Sequence, residues 1–324
     1  MNTALIGCGY WGKNYLRLLK TNENFNLTHI IDKNIDAFDQ SYTFLDDISE
    51  LEIGAIDSAI VCTPTSTHYE ITKKLLDMGI NTLVEKPLAT STKEVQELHA
   101  LADKNKVTLM TDYTFLYNPV IKKIINTVKN DELGSIQYLQ FERSNLGPIR
   151  TDVSVVWDLL THDISILGSL INEKPLRVNS SGLIRGNNIF HDVVNVSINF
   201  NDIFVNCFTS WLHPEKTRQI RIIGDKKMLI FDDLNINEPL KILDKKISSV
   251  DEKEFSNSSF FNFKVGDTFI PFIENSEPLK NVLDDFQNRT QDKEVNSLNN
   301  KELTFWITNI MEEVLLDLSN QSSN

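Results

Sequence analysis

Asp158 and His162 stand four residues apart in the stretch Trp157-Asp158-Leu159-Leu160-Thr161-His162-Asp163. On a helix that spacing puts a carboxylate and an imidazole on one face. The carboxylate can orient the ring and favour its protonated form, an arrangement suited to general-base chemistry. Asp163 is turned away by about 100°. A surface ion pair or a metal site would draw on the same residue types. The metal alternative needs further ligands, and the chain offers neither an HExxH pattern nor a Cys/His cluster, so no metal is expected. A second candidate is Lys86, in Glu85-Lys86-Pro87. An ammonium group at the end of a strand can hydrogen-bond a hydroxyl and stabilise developing alkoxide charge. Most lysines are solvated, so residue type alone also allows a plain surface lysine.

The strongest local pattern is Gly7-Cys8-Gly9-Tyr10-Trp11-Gly12. A short apolar strand precedes it, a helical segment follows, and Asp32 lies 20 residues beyond Gly12. Gly7 permits a tight turn, Gly9 lets a pyrophosphate approach the backbone, and Gly12 allows close helix–strand packing. The pyrophosphate would meet the free N–H groups and positive dipole end of the helix. Asp32 can accept hydrogen bonds from ribose hydroxyls and would repel a 2′-phosphate, which favours NAD over NADP. Lys33 offsets part of that repulsion. A glycine turn without ligand and a solvated strand-end acid are the plainer alternatives. Cys62-Thr63-Pro64-Thr65-Ser66-Thr67-His68 follows another strand, so Thr63, Pro64 and Thr65 fall at the carboxyl edge of a sheet, where hydroxyls can meet a cofactor. His68 reads as the opening of the next helix rather than as a catalyst. With Tyr10, Trp11, Glu85 and Lys86, these residues form the expected cofactor-binding set.

The elements that must position these groups alternate. Strands are expected at Thr3–Ile6, Leu27–Ile31, Ser58–Cys62, Asn81–Val84 and Thr108–Thr111, and helices at Tyr10–Thr21 and His68–Met78, the latter stopped by Gly79. Ser91 and Glu94 have capping-box spacing ahead of Val95, Leu98 and Ala102. This is the rhythm of a doubly wound α/β Rossmann domain, assigned to residues 1–118. From residue 119 to 324 the rhythm changes. Pro119–Val128 and Trp157–Ile171 read as helices and Ile136–Arg143 as a strand. Val194, Val196, Ile198 and Phe200 alternate with polar residues, and strands follow over Ile203–Trp211, Gln219–Ile223 and Met228–Phe231. Strands without intervening helices indicate an α+β domain with a large, mainly antiparallel open sheet. Ser248–Ser259 reads as a loop, and Leu279–Arg289 and Leu303–Leu318 as closing helices.

The 324 residues exceed the roughly 250–300 that one core supports, consistent with two domains. A net charge of -13 disfavours nucleic acid and acidic membranes as partners. No apolar run nears the ~20 residues needed to cross a bilayer. Ala4-Leu5-Ile6 is too short for a secretory leader. Cys8, Cys62 and Cys207 have no metal or redox spacing, so a cytoplasmic protein with reduced thiols is expected.

The glycine loop, Thr63-Pro64 ahead of His68, Glu85-Lys86-Pro87, and Asp158 with His162 together resemble the Gfo/Idh/MocA oxidoreductases, over nearly the whole chain. The triplet at this distance from the loop is specific enough to outweigh the surface-lysine alternative. The resemblance implies that Lys86 and His162 flank a reacting hydroxyl and that Asp158 assists. The family's acid three residues after the histidine is replaced here by Ser165. Tyr113-Thr114-Phe115-Leu116-Tyr117-Asn118-Pro119, Asn145-Leu146-Gly147 and Trp211–Arg218 are similar to a branch that includes UDP-N-acetylglucosamine and UDP-N-acetylglucosaminuronate 3-dehydrogenases of surface-polysaccharide synthesis. The implied substrate residues are Tyr113, Tyr117, Asn118 and Asn145, with Arg143, Arg150, Lys216 and Arg218 meeting the negative charge of a nucleotide sugar. A free polyol dehydrogenase, inositol-like, and a non-catalytic sensor of NAD or sugar are the alternatives. The family also implies a homodimer or homotetramer.

Overall fold

The computed structural model describes the chain except residues 34–41, 151, 172, 187, 249–261, 294, 297 and 322–324. The expected loop at Ser248–Ser259 therefore lies almost wholly outside the described residues. Two compact units emerge. One comprises Met1–Asn118 and Ser276–Glu312, the other Pro119–Asn275 and Glu313–Asn324. A single cut at residue 118 does not describe this division, because helix α6 (Pro278–Thr290) and most of α7 (Lys301–Gln321) belong with the first unit.

In the first unit, β1 (Asn2–Ile6), β2 (Asn26–Ile31), β3 (Thr43–Leu45), β4 (Ser58–Val61), β5 (Asn81–Glu85) and β6 (Leu109–Asp112) form one parallel sheet. Its order is β3-β2-β1-β4-β5-β6. Thr3–Ile6 of β1 and all of β4 are buried, and both strands end in apolar runs, because helices cover both faces of such a sheet. The helices are α1 (Tyr10–Leu19), α2 (His68–Asp77) and α3 (Thr92–Asn105). Two of them start or stop on a local signal. Ser91 caps α3 by accepting from the Glu94 N–H at 3.2 Å, and Gly79 ends the α2 segment with φ of +74°. The order reverses direction between β1 and β4, so the chain segments leaving these two strands border the crevice where such sheets bind ligands.

The second unit holds an eight-stranded sheet, β14-β13-β12-β11-β7-β10-β9-β8. Its members are β7 (Ile136–Leu146), β8 (Arg177–Leu183), β9 (Val193–Asn199), β10 (Phe204–Ser210), β11 (Leu212–Gly224), β12 (Met228–Asp232), β13 (Leu240–Ser248) and β14 (Asn262–Phe269). All neighbours run antiparallel except β7 and β10. The period-2 pattern places Val194, Val196 and Ile198 of β9 and Val205 and Cys207 of β10 on the buried face. Helices α4 (Pro119–Lys129) and α5 (Thr161–Leu170) pack together in this unit. Strands β3, β8, β13 and β14 lack clear alternation and escape sequence reading.

The helix expected over Trp157–Ile171 is not α-helical throughout. It begins as one π-helical turn, Val156–Leu160, before α5 takes over. Asp158 sits in that turn and His162 in α5. The one-face argument for the pair assumes 3.6 residues per turn and does not carry over unchanged. Among the described residues no helix is long and apolar enough to cross a membrane.

Candidate functional site

The glycine loop shows a different steric constraint at each position. Gly7 has φ of +85°, and a Cβ there would lie 2.7 Å from the Cys62 carbonyl carbon and the Thr63 nitrogen. A Cβ on Gly12 would lie 2.1 Å from the Gly7 carbonyl oxygen. Gly9, between them, has nothing within 4 Å of the same construction. Two glycines thus close the turn, and the third leaves open space at the start of α1, where backbone N–H groups lack helical partners. Asp32, just past β2, accepts from the Cys8 N–H at 2.6 Å, which ties the acid to the loop. These features fit a dinucleotide: a cradle at a helix N-terminus that a side chain on Gly9 would enter, with a carboxylate at the neighbouring strand end. Tyr10 and Trp11 are exposed on α1, with rings edge to face at 6.2 Å. The Cys8 thiol is pushed up to about 11, first by burial and then by Asp32, so it is a neutral part of the turn.

The turns after β4 and β5 share that sheet edge. Thr63 is half-buried, Pro64 exposed and Thr65 buried. Glu85 and Lys86 are each 7% exposed, and Glu85 Oε2 accepts the Lys86 N–H at 2.8 Å. Lys86 is therefore not the solvated lysine that its residue type allows. His68 was expected to touch cofactor, but it is 1% exposed, with Nδ1 2.7 Å from the Pro87 carbonyl oxygen and Nε2 2.8 Å from that of Thr63. Its ring is engaged inside the fold and is not offered to a ligand.

Sequence reading missed Asp112 and Tyr15. Asp112 ends β6 in register with Glu85 and is fully buried. It accepts from the Tyr15 hydroxyl at 2.5 Å and from Thr114 Oγ1 at 2.7 Å. Burial pushes its carboxyl up, while these two donors and the positive charge of Lys86 pull it down. Tyr15 falls one turn after Gly12, yet nothing in the local sequence marks its partner 97 residues away.

In the second unit, Asp158 is half-buried. Its Oδ2 accepts from Trp211 Nε1 at 3.1 Å and its Oδ1 from Arg150 Nη1 at 3.2 Å. His162 is half-buried on α5. Arg150 also makes a two-pronged contact with Asp152, through Nε at 2.9 Å and Nη2 at 2.5 Å. Arg143, expected to meet substrate charge, is 4% exposed and donates from Nε and Nη2 to Asp163 Oδ1 at 3.0 and 2.8 Å. It is an internal ion pair, because two facing positions on β7 and α5 carry opposite charges out of water together. Arg218 pairs with Asp233 at 3.2 Å, and Lys216 is exposed. The Asn145 side-chain amide donates to the Gly147 carbonyl.

Tyr113 and Tyr117, in the first unit, correct the sequence reading as well. Both are buried, and the Tyr117 hydroxyl donates to Asp285 at 2.6 Å and accepts from Asn299 at 2.9 Å. Tyr117 is thereby tied to α6, and Tyr113 is sealed inside the same unit. Asn118 is half-buried at the end of the same segment.

Residues 1–113 match the model of an oxidoreductase family with an NAD-binding Rossmann fold, GFO_IDH_MocA. The match spans the parallel sheet of the first unit, and NAD is the cofactor. UDP-N-acetylglucosamine 3-dehydrogenase of Acidithiobacillus ferrooxidans is 24% identical over 242 residues, 72% of this chain and 75% of that protein. Myo-inositol dehydrogenase Hyg17 of Streptomyces leeuwenhoekii is 26% identical over 192 residues, 56% of this chain and 59% of its own. The solved structure of the Acidithiobacillus enzyme, GnnA, superposes with a TM-score of 0.79 at 20% identity, covering 99% of this chain and 98% of that one. GenD2 from gentamicin A biosynthesis, solved with NAD, gives 0.80 at 17% identity over 99% and 95% of the two chains. At these identities the structural likeness speaks for the fold.

Proposed function

We propose that this oxidoreductase converts a secondary hydroxyl of a sugar to a ketone, or the reverse, and that the sugar is a UDP-N-acetylhexosamine oxidised at C3. The observation that carries the reading is the buried Lys86 at the carboxyl edge of β5, on the sheet edge that also bears the open Gly9 cradle. Bound NAD supplies the hydride acceptor. His162 takes the hydroxyl proton, Asp158 holds the ring's orientation and balances its charge, and the Lys86 ammonium stabilises oxyanion character at the carbinol oxygen. The Trp211 and Arg150 contacts support this role for Asp158, because they hold the carboxylate from two sides. Arg150, Lys216 and Arg218 remain candidates for a diphosphate, since all three reach solvent. Arg143 does not.

The nucleotide-sugar assignment rests on the UDP-N-acetylglucosamine 3-dehydrogenase, which matches over 75% of its own length. A free polyol is the second reading, favoured by the two inositol dehydrogenases among the relatives. Mixing the protein with NAD+ and a panel of UDP-N-acetylglucosamine, its uronate and myo-inositol, and following NADH absorbance, separates the two. The expected result is reduction with a nucleotide sugar alone. Lys86→Ala and His162→Ala should each lower turnover ~100-fold or more while NADH still binds. Near-normal turnover in both variants rejects the assignment. The proposal includes a homodimer or homotetramer formed through the open sheet, where Phe204 and Phe269 are exposed. A monomer by light scattering would remove that part.

A further inference from the structure

His68 is the residue whose surroundings the reaction scheme leaves unexplained. It opens α2 beneath the sheet edge, 1% exposed, with one ring nitrogen 2.7 Å from the Pro87 carbonyl oxygen and the other 2.8 Å from the Thr63 carbonyl oxygen. A carbonyl oxygen can only accept. A neutral imidazole carries one N–H and one lone pair, so either tautomer would satisfy one carbonyl and set lone pair against lone pair at the other. Two N–H groups are needed, and the imidazolium has them. In a buried setting, hydrogen bonds to an ionised donor are roughly twice as strong as neutral ones, which gives this arrangement a reason to persist despite the cost of burying the charge.

The two carbonyls belong to the two turns that matter most. Thr63 follows β4 and lies against Gly7, whose Cβ position is 2.7 Å from the Thr63 nitrogen. Pro87 follows Lys86 directly in the chain. The Thr63 turn is stiffened further: Thr67 Oγ1 donates to the Pro64 carbonyl at 2.7 Å and lies 2.8 Å from the Thr63 hydroxyl. One ring therefore joins the wall of the glycine-loop crevice to the residue after the lysine.

We propose that His68 is a positioning residue, a doubly donating imidazolium that fixes the Lys86 turn to the Thr63 turn and so sets the height of the Lys86 ammonium over the cofactor crevice. The inference rests on the reading of Lys86 given above. Its function is geometric: the ring touches neither cofactor nor substrate. A displacement of about 1 Å at a reacting group can cost ~100-fold in rate, so a brace of this kind matters even at a distance.

The test has a substrate-free part and a kinetic part. In the wild-type protein, nitrogen-15 NMR of labelled histidine should show a ring with both nitrogens protonated, lost on replacing His68. A ring with one bare nitrogen overturns the proposal without any variant needing to fold. In His68→Gln the side chain can reach one carbonyl and not both. A crystal structure of that variant with NAD is expected to show the Lys86 turn moved relative to wild type, with NADH affinity within ~3-fold and kcat lowered at least ~10-fold. The isotope effect on kcat from substrate deuterated at the reacting carbon should rise, because a misplaced lysine slows the hydride step itself. A merely structural role would lower the melting temperature and leave that isotope effect alone. A His68→Gln protein with an unmoved Lys86 and wild-type kcat sinks the idea. If instead Lys86→Ala keeps full turnover, the functional reading fails, while the brace is still judged by the NMR and the crystal structure.

Discussion

The carboxyl edge of the parallel sheet and the arginines on and just beyond β7 look equally functional in the sequence; in three dimensions the first keeps that appearance whole, whereas tertiary pairing divides the second. At the parallel edge the work falls to backbone and glycine: Gly7 and Gly12 are closed by atoms within 3 Å, and Gly9 is open. Backbone geometry of this sort is dictated locally, so a spacing of glycines carries it. On the open sheet, charge is delivered by long side chains, and tertiary pairing decides where each one goes. Arg143 and Arg150 are seven residues apart in one segment, yet one is sealed against Asp163 and the other is a third exposed, between Asp152 and Asp158. No local pattern separates those two outcomes.

The sharpest way to break the comparison is to treat the two arginines alike. Arg143→Ala leaves the Asp163 carboxylate in the interior without its partner, and such losses cost about 3–5 kcal/mol. Burial already pushes Asp163 upward against the pull of Arg143, so the variant should also take up a proton there. Chemical denaturation should show a large fall in midpoint at pH 7. A loss below about 1 kcal/mol would mean that Arg143 is not the internal pair described here.

The glycine loop offers the matching contrast. Gly12→Ala drives a methyl group into the Gly7 carbonyl, a backbone atom that cannot swing aside, and is expected to destabilise the first unit by about 3 kcal/mol. Gly9→Ala meets nothing within 4 Å, so its melting temperature should stay near wild type while NADH affinity falls at least ~10-fold. If Gly9→Ala binds NADH normally, the open space is not the pyrophosphate cradle.

Legibility followed the same divide. The six parallel strands were readable except β3, and the glycine loop, Asp32 and Glu85-Lys86-Pro87 could be placed from spacing, because strand, turn and helix there are consecutive. Asp112 with Tyr15, Asp158 with Trp211, and Tyr117 with Asp285 could not: their partners lie 97, 53 and 168 residues away. Tyr113 and Tyr117 misled for a related reason. An aromatic beside a strand end suits a ligand or a helix equally, and here both rings are buried, with Asp285 of α6 taking the Tyr117 hydroxyl.

A pH effect tests the first unit alone. His99 of α3 packs its ring 5.5 Å from that of Phe305, and its Nε2 lacks a hydrogen-bond partner among the described residues. Burial lowers its pKa from 6.5 to about 4. The folded value lies below the unfolded one. Between these values the unfolded chain binds a proton that the folded chain does not, and stability is lost as pH falls through that window. The loss from pH 7 to pH 5 should be about 2 kcal/mol, and most of it should vanish in His99→Leu. Equal acid sensitivity in the variant would place the effect elsewhere.

The smallest expected change returns to the open sheet. Arg150→Gln removes a pair that is a third exposed, so its stability should shift by under about 1 kcal/mol. Its effect belongs in kinetics. If Arg150 leaves Asp152 to meet an anionic sugar, the variant raises KM for UDP-N-acetylglucosamine and leaves KM for NAD+ alone. If Arg150 acts only through Asp158, kcat falls and the sugar KM holds. Trp211→Phe discriminates further, since it strips the indole donor from Asp158 without touching a charge: a fall in kcat shared by both variants assigns the arginine to the carboxylate, whereas a KM effect confined to Arg150→Gln assigns it to the substrate.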